Sequence, residues 1–275
     1  MIAPLFFAAC STPPKNPGEV YDLRTQAESQ LDLGNKQADR GDYDTALILL
    51  NEARRLAIIS DDPGLLIRTG LSRGNVLFAL GRADEAFAGW ENALAEAEKR
   101  GTPELAAVSR VHIARGNLLS AGASRAQAIR NEVNHELDAI KSDKLYIAFS
   151  WVVIGLCERE LGRYQEAEAA VKRSLDIHEK DRSLEQAAYD WFLIASIRSL
   201  AANYSGALQA LESAIALDRR VENSWGLAAD WRALGDVHKK AGKTAEAREA
   251  YLRAVDIFRS LGDDAAAAET EKRIE

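Results

Sequence analysis

Several residue types are scarce in this sequence of 275 residues, and each scarcity excludes a class of protein. The two cysteines, Cys10 and Cys157, are too few for a disulfide framework. Apart from the opening residues, no apolar run approaches the roughly 20 residues that a membrane-spanning helix needs. All six prolines lie at or before Pro103, and hydrophobic residues, 47% of the total, are spread along the chain, as is typical of a folded helical protein.

Positive charge is in deficit as well. The chain has 35 Lys and Arg residues against 42 Asp and Glu, which gives a net charge of -7. The basic residues are interleaved with the acidic ones along the sequence. Because a phosphate backbone is bound mainly by clustered basic side chains, nucleic acid is not an expected partner.

Motifs for catalysis and metal binding are also sparse. Gly242-Lys243-Thr244 matches the end of a phosphate-binding loop, but Gly235 and Gly242 enclose six residues, where that loop has four. Cys157 has acidic neighbours, which disfavour a thiolate, so we expect a small buried residue there. The four histidines lack a second ligand at helical spacing, and we expect them on the surface: His112, His135, His178 and His238. The sequence therefore predicts no enzyme, no metal site, no cofactor and no small-molecule substrate.

What the chain does contain is a repeat with a period near forty residues. Similar segments begin at Leu33, Arg73, Ile154, Ile194 and Leu234. Their corresponding small residues are Gly34, Gly74, Gly155, Ala195 and Gly235. A degenerate unit beginning at Arg115 fills the longest interval, and it aligns with the others if one residue is deleted near Gly122. The pattern thus predicts six repeats.

Each repeat contains two helical stretches separated by a turn. The turn residues are Gly41, Gly81, Gly122, Gly162 and Gly242, with Ala202 in the fifth repeat. Glycine at this point tolerates the left-handed conformation that ends a helix. Two helix starts are marked by Asp62-Pro63 and Thr102-Pro103, in which a capping side chain precedes proline at the first helical position.

These repeats resemble the tetratricopeptide repeat, whose signature is W-x2-L-G on the first helix and A-x3-F on the second. Trp231, Leu234 and Gly235 reproduce the first half, and Trp151 and Trp191 stand in the same register. The second half appears as Ala86/Trp90, Ala167/Val171, Ala207/Leu211 and Ala247/Tyr251. The period of about forty, against about 34 in the family, resembles the extended repeats of kinesin light chains and several bacterial regulators.

The resemblance implies an all-α fold, an α-solenoid superhelix of six antiparallel helix pairs with a C-terminal capping helix. We expect one repeat domain over residues 19–275. Its repeats are expected near 19–61, 62–101, 102–141, 142–182, 183–222 and 223–262, and its capping helix over 263–275. The strict register of Trp151, Trp191 and Trp231 predicts that all three are core residues.

In tetratricopeptide proteins the first helix of each pair lines a concave groove that commonly holds an extended peptide. Carried over to this chain, that role falls on three sets of residues. They are Asn35, Asn75 and Asn117 for backbone hydrogen bonds, Phe149, Val152, Leu156, Tyr189 and Phe192 for apolar contact, and Arg232 and Lys239 for positive charge. Such a groove suits a peptide with hydrophobic anchors and an acidic residue. The alternative is that the aromatic residues pack against the neighbouring pair and the asparagines cap local backbone groups.

Residues 1–18 precede the repeats and are predicted to be the remnant of a lipoprotein-type signal followed by a flexible tether. "FAAC" resembles a bacterial lipobox, in which small residues precede a cysteine that becomes lipidated, and Cys10 is then the lipidation site. No Lys or Arg precedes the apolar run, so we expect either a start codon further upstream or a truncated signal. A frayed hydrophobic tail is the alternative.

The sequence thus favours a noncatalytic scaffold that is lipid-anchored at the periplasmic face of a bacterial membrane, with the outer membrane as the expected one. Its partners would be proteins or peptides, bound for assembly or secretion. The alternative is a cytosolic regulatory or sensor module that binds a signalling peptide.

Overall fold

The computed structural model describes residues 17–274, and this part of the chain forms thirteen α-helices and no β-strand. The helices are α1 Pro17–Asp39, α2 Tyr43–Ile59, α3 Pro63–Ala79, α4 Ala83–Lys99, α5 Pro103–Ala121, α6 Ala123–Leu137, α7 Lys144–Glu160, α8 Tyr164–Asp181, α9 Leu184–Leu200, α10 Tyr204–Val221, α11 Ser224–Lys240, α12 Thr244–Ser260 and α13 Asp264–Glu271. They pack as six antiparallel pairs, from α1–α2 to α11–α12, and α13 packs against α12. The predicted all-α solenoid of six helix pairs with a C-terminal capping helix is confirmed.

The turn inside each pair uses a left-handed residue where the sequence predicts one. Gly81, between α3 and α4, has φ +76°, and its backbone N–H donates to Phe78 O at 3.0 Å. Ala202, which replaces glycine between α9 and α10, takes the same conformation at φ +58°. An L-residue with a Cβ costs roughly 1 kcal/mol in this region, so the fifth turn is the least favourable of this type.

Close approach of the two helices of a pair requires a small residue on the first and a large one on the second. A Cβ built at Gly74 would lie 2.2 Å from Trp90 Nε1, and one at Gly235 would lie 2.5 Å from Tyr251. The Trp90 indole is fully buried and donates from Nε1 to Leu71 O at 3.2 Å. This contact excludes any larger residue at the Gly74 position.

The third repeat follows a different alignment from the predicted one. α5 begins forty residues after α3, and α6 begins forty residues after α4, so no residue is deleted near Gly122. α7 begins 41 residues after α5, which places one extra residue in the connection between α6 and α7. Gly116 faces Trp90 of the preceding repeat, and Ala114 stands forty residues after Gly74. Matching the "GN" of residues 116–117 to that of residues 74–75 was therefore wrong by two residues.

The first helices form the inner layer of the superhelix. α1 contacts α3, α3 contacts α5, α5 contacts α7 and α9 contacts α11, in addition to the contacts each makes with its neighbours in the chain. The second helices consequently form the outer layer, as in other solenoids of helix pairs.

The superhelix also closes on itself. Gln186 Nε2 at the start of α9 donates to Asp39 Oδ2 at the end of α1, with 3.0 Å between the two atoms. Arg40, in the turn after α1, donates from Nη2 to Val221 O at the end of α10, at 3.2 Å. The first helix pair therefore contacts the fifth, which is not its neighbour along the chain.

Two groups of side chains are buried differently from the prediction. The three tryptophans in register pack against the core but are only half-buried. Arginines from the outer layer cover two of the rings: Arg173 lies 4.3 Å from the ring centroid of Trp151, and Arg253 lies 4.6 Å from that of Trp231. His112 and His178, expected on the surface, are buried.

Substitution of the paired glycine tests the packing rule. We expect Gly74→Ala to lower the free energy of unfolding by about 1–3 kcal/mol, because the new methyl group collides with the buried Trp90 ring. Gly70→Ala on the same helix is the matched control. Its Cβ would lie 3.6 Å from Ala93 Cβ, an ordinary contact, so helix propensity should leave stability unchanged or raise it by up to ~1 kcal/mol. Urea denaturation followed by circular dichroism measures both, and equal effects would contradict the rule.

Candidate functional site: the inner face

The inner face is the stripe of first-helix residues that points away from the outer layer. Two columns of equivalent positions define it: Glu28, Arg68, Val108, Phe149, Tyr189 and Ala229, and Asn35, Asn75, Arg115, Leu156, Ser196 and Asp236. Contacts between successive first helices lie along this stripe. His112 Nδ1 of α5 is 3.0 Å from Asn75 Oδ1 of α3, and the His112 ring stacks on Phe149 of α7 at 4.4 Å between centroids.

The predicted asparagine ladder is only partly present on this face. Asn35 on α1 is exposed, and Asn75 on α3 is half-buried, with its amide oxygen engaged by His112. Asn117 lies outside both columns, because the third repeat has the register described above, and Arg115 takes the equivalent position. One free amide, on Asn35, therefore remains available to a ligand backbone.

The middle of the inner face is aromatic. Phe149 packs against the His112 ring and lies near the Arg115 guanidinium, whose Cζ is 6.0 Å from the Phe149 ring centroid. Burial lowers the pKa of His112 to about 3, and the nearby Arg115 adds to the shift. The imidazole is therefore neutral near pH 7 and donates its Nδ1 hydrogen to Asn75.

The apolar set needs a correction. Val152 and Leu156 are each only 5% exposed and belong to the hydrophobic core, because the first helices converge on the inside of the superhelix and bury these side chains against one another. Tyr189 is 47% exposed and stacks on Phe192 with 6.4 Å between ring centroids. The apolar surface open to a ligand therefore consists of Phe149, Tyr189 and Phe192.

The predicted cationic end of the groove is occupied by the capping helix and the residues that follow it. Arg232 Nη1 lies 3.9 Å from Glu269 Oε2, and its guanidinium also covers the Phe258 ring at 5.3 Å. Lys239 Nζ donates to Arg273 O at 2.8 Å. Because α13 takes the place of a seventh first helix, it satisfies these groups within the chain, and Arg232 and Lys239 are not free cations.

A column of buried polar side chains, which the sequence reasoning missed, lies behind the inner face. It consists of Thr69, Ser109, Ser150, Asp190 and Asp230, spaced by forty or 41 residues and all at most 2% exposed. In the second, third and fourth repeats the hydroxyl donates to the carbonyl four residues earlier, for example Thr69 Oγ1 to Leu65 O at 2.8 Å. A polar residue recurring at the repeat period within apolar helices was the available signal.

In the fifth repeat this column forms a buried trio of serine, histidine and aspartate. Ser174 Oγ donates to Asp190 Oδ2 at 3.0 Å, and His178 Nδ1 lies 2.7 Å from the same oxygen. Ser174 Oγ also lies 3.4 Å from His178 Nδ1, but a nucleophilic serine would need to be exposed to a substrate, and Ser174 is fully buried. Burial raises the pKa of Asp190, while the hydrogen bonds from His178 and Ser174 act in the opposite direction. The arrangement joins α8 to α9 and is structural.

The sixth repeat repeats the geometry with a different partner. Asp218 stands forty residues after His178, so Asp230 faces a carboxylate where Asp190 faces an imidazole. Asp218 accepts a hydrogen bond from Asn223 Nδ2 at 3.1 Å, whereas Asp230 Oδ2 has no partner among the described residues. Burial raises the pKa of Asp230 to about 9, and Asp218 adds to the shift. Asp230 is therefore protonated near pH 7.

Comparison with known proteins agrees with this architecture. The tetratricopeptide repeat family matches residues 150–181 and 231–261, which correspond to α7–α8 and α11–α12. These two segments are tetratricopeptide repeats. No curated protein matches its sequence significantly.

Solved structures share this fold at low sequence identity. A Rap protein complexed with competence and sporulation factor is 17% identical, with a TM-score of 0.61 over 90% of this chain and 74% of that chain. A kinesin light chain with TPR-like repeats from Podospora anserina is 16% identical, with a TM-score of 0.54 over 71% and 96%. PilW, a type IV pilus biogenesis factor, is 19% identical, with a TM-score of 0.50 over 85% and 94%. At these identities the likeness shows the fold alone.

Chemistry elsewhere in the repeats is limited. Cys157 is fully buried, and burial raises the pKa of its thiol to about 12, so a thiolate is disfavoured. Gly242 has φ +75° and is the turn between α11 and α12, as the sequence predicts. Within residues 17–274, no group of His, Cys, Asp and Glu side chains is placed to hold a metal ion, and no helix is long and apolar enough to cross a membrane. Cys10 lies outside the described residues.

Replacement of Asp230 tests the buried carboxyl pair. Because the folded pKa of about 9 lies above the unfolded value of about 3.9, folding binds a proton, and this group makes the protein less stable as the pH rises from about 4 to about 9. We expect Asp230→Asn to flatten that pH dependence and to raise the free energy of unfolding at pH 8 by at least about 2 kcal/mol. Asp256→Asn, at an exposed position on α12, is the control. Identical pH profiles of wild type and Asp230→Asn would contradict this expectation.

Proposed function

We propose that this tetratricopeptide repeat protein is a noncatalytic interaction scaffold that binds a polypeptide segment along its inner face. The observation that carries the proposal is the exposed aromatic pair on α9, in which Tyr189 is half open to solvent and stacks on Phe192. Aromatic side chains supply large contact area at low conformational cost, and exposed aromatic patches often mark protein contacts.

The chemistry of the inner face defines the expected partner segment. Phe149 and Tyr189 occupy the same column on successive repeats, so they offer two apolar contacts to one extended segment. The exposed amide of Asn35 can donate to and accept from a peptide backbone. Because Arg232 and Lys239 are engaged by the C-terminal residues, an acidic residue in the partner has no cation to meet there. We therefore expect hydrophobic anchors, with no acidic residue required at the C-terminal end of the inner face.

Two cellular settings are compatible with such a scaffold. The similarity to PilW, a pilus biogenesis factor, supports an envelope adaptor for assembly or secretion. The similarity to a Rap protein solved with competence and sporulation factor supports a cytosolic module that binds a signalling peptide. Both similarities concern the fold alone. The lipobox-like "FAAC" is the sequence feature that favours the envelope.

Photo-crosslinking tests the inner face directly. A photoreactive phenylalanine analogue at Tyr189 is expected to capture a polypeptide partner in cells, because this side chain is exposed on the inner face. The same analogue at Ile48, which is 69% exposed on the outer helix α2, is the matched control. Phe149→Ala combined with Phe192→Ala should reduce capture at Tyr189 by at least about tenfold, as expected for the loss of two aromatic contacts.

Equal capture at Tyr189 and Ile48, or capture at Tyr189 that the double substitution leaves unchanged, would contradict peptide binding on the inner face. Circular dichroism of each variant separates loss of binding from loss of fold.

We propose further that Cys10 carries the lipid that anchors the protein at the periplasmic face of a membrane. Several acyl chains on one cysteine anchor a protein stably, whereas one chain does not. We expect the full-length protein to incorporate labelled palmitate and to sediment with membranes, and Cys10→Ser to abolish both. Cys157→Ser is the control, because its thiol is buried within α7. Recovery of unlabelled wild type in the soluble cytosol, with residues 1–9 intact, would favour the cytosolic alternative.

A further inference from the structure

The turn between α1 and α2 is docked against the fifth and sixth repeats. Arg40 Nη2 donates to Val221 O at 3.2 Å and lies 3.8 Å from Glu185 Oε1. Asp39, next to it, accepts from Gln186 Nε2 at 3.0 Å. These partners are 145 to 181 positions further along the chain, so the contacts join repeats that are not neighbours in the solenoid.

The docked turn also has a close steric fit. Gly41 has φ +78°, and a Cβ at this position would lie 2.8 Å from Cδ1 of Trp225 in the first turn of α11. Two further contacts fix Trp225. Its ring packs edge-on against Phe258 at 6.3 Å between centroids, and its Nε1 donates to Asp263 Oδ2 at 3.4 Å. The indole is thereby held in place, and it leaves room only for glycine at position 41.

Contacts of this kind are unusual in a repeat array. In a solenoid each repeat normally contacts only its neighbours, so the two ends move independently and the pitch is free to change. A partly buried charge-assisted hydrogen bond between the first and fifth repeats fixes the distance between them. These contacts hold the first and fifth repeats at one spacing.

We propose that the α1–α2 turn, residues 39–41, is a strap that closes the superhelix, and that its release lets the solenoid uncoil. The strap contacts lie within the chain, so they exist whatever the inner face binds. The open state retains every helix pair and loses only the contacts of Asp39, Arg40 and Gly41 with the fifth and sixth repeats.

Distance measurement between two spin labels tests the strap in the full-length chain. The labels are placed at Asp44→Cys and Ser224→Cys, two exposed positions beside the contact, after replacement of Cys10 by Ser and Cys157 by Ala. We expect one short distance in the otherwise unaltered chain. In Arg40→Ala the ratio of closed to open molecules should fall by about tenfold or more, the effect of losing one charge-assisted hydrogen bond. Gly41→Ala should give the same long-distance component, because its methyl group meets Trp225.

The second repeat supplies a matched control for each variant. Gly81 has φ +76° in the equivalent turn, but a Cβ there would meet nothing within 4 Å, so Gly81→Ala adds the same backbone strain without a collision. Within residues 17–274 the Arg82 side chain bonds only to the local Glu85, at 2.7 Å from Nε to Oε1, so Arg82→Ala removes a comparable surface pair. The strap is supported if both strap variants lengthen the distance and both controls leave it unchanged. Any other pattern overturns it.

Discussion

Four of the six helix pairs are held at close range by a glycine on the first helix that lies directly against a large side chain on the second. Gly74 against Trp90 and Gly235 against Tyr251 are the clearest cases, since a single added methyl group would penetrate the ring. This contact fixes the separation within a pair and leaves the remaining faces of the first helices to meet one another on the inside. The superhelix, its crowded inner face and the return of the first repeat to the fifth all follow from that arrangement.

Much of the fold was predictable because its causes are local and repeat along the chain. The regular spacing of Gly74, Gly155 and Gly235 predicts the close contact between the two helices of a pair. The turn glycines predict the left-handed residue that ends the first helix. The third repeat misled the sequence reasoning because Gly116-Asn117 imitates the pair at Gly74-Asn75, whereas its glycine serves contact with the preceding repeat. The identity of a residue alone does not indicate which neighbouring helix it contacts.

The inner face was less predictable, because exposure there depends on curvature. Val152 and Leu156 have the spacing of a ligand-binding stripe, yet the first helices converge closely enough to bury them. Lys239 has the charge of a binding residue, but its partner is the carbonyl oxygen of Arg273, in the residues that follow the capping helix. The contact between Arg40 and Glu185 has no sequence signature at all, because it depends on the superhelical pitch. Each of these properties emerges only when six pairs are stacked.

The buried polar column gives the repeats separate identities. Thr69 and the equivalent serines of the third and fourth repeats donate their hydroxyl hydrogen to a carbonyl of their own helix. These side chains therefore need no hydrogen-bond partner from the preceding repeat. Asp190 bonds to the imidazole of His178 and the hydroxyl of Ser174 from the preceding unit, and a predecessor without these side chains would leave its buried carboxyl group without them as partners. Otherwise similar units are thereby given a fixed order. Arrays of near-identical repeats are prone to pair with the wrong repeat while they fold. A buried residue whose hydrogen-bond partners occur in only one neighbouring repeat makes such wrong pairings less stable.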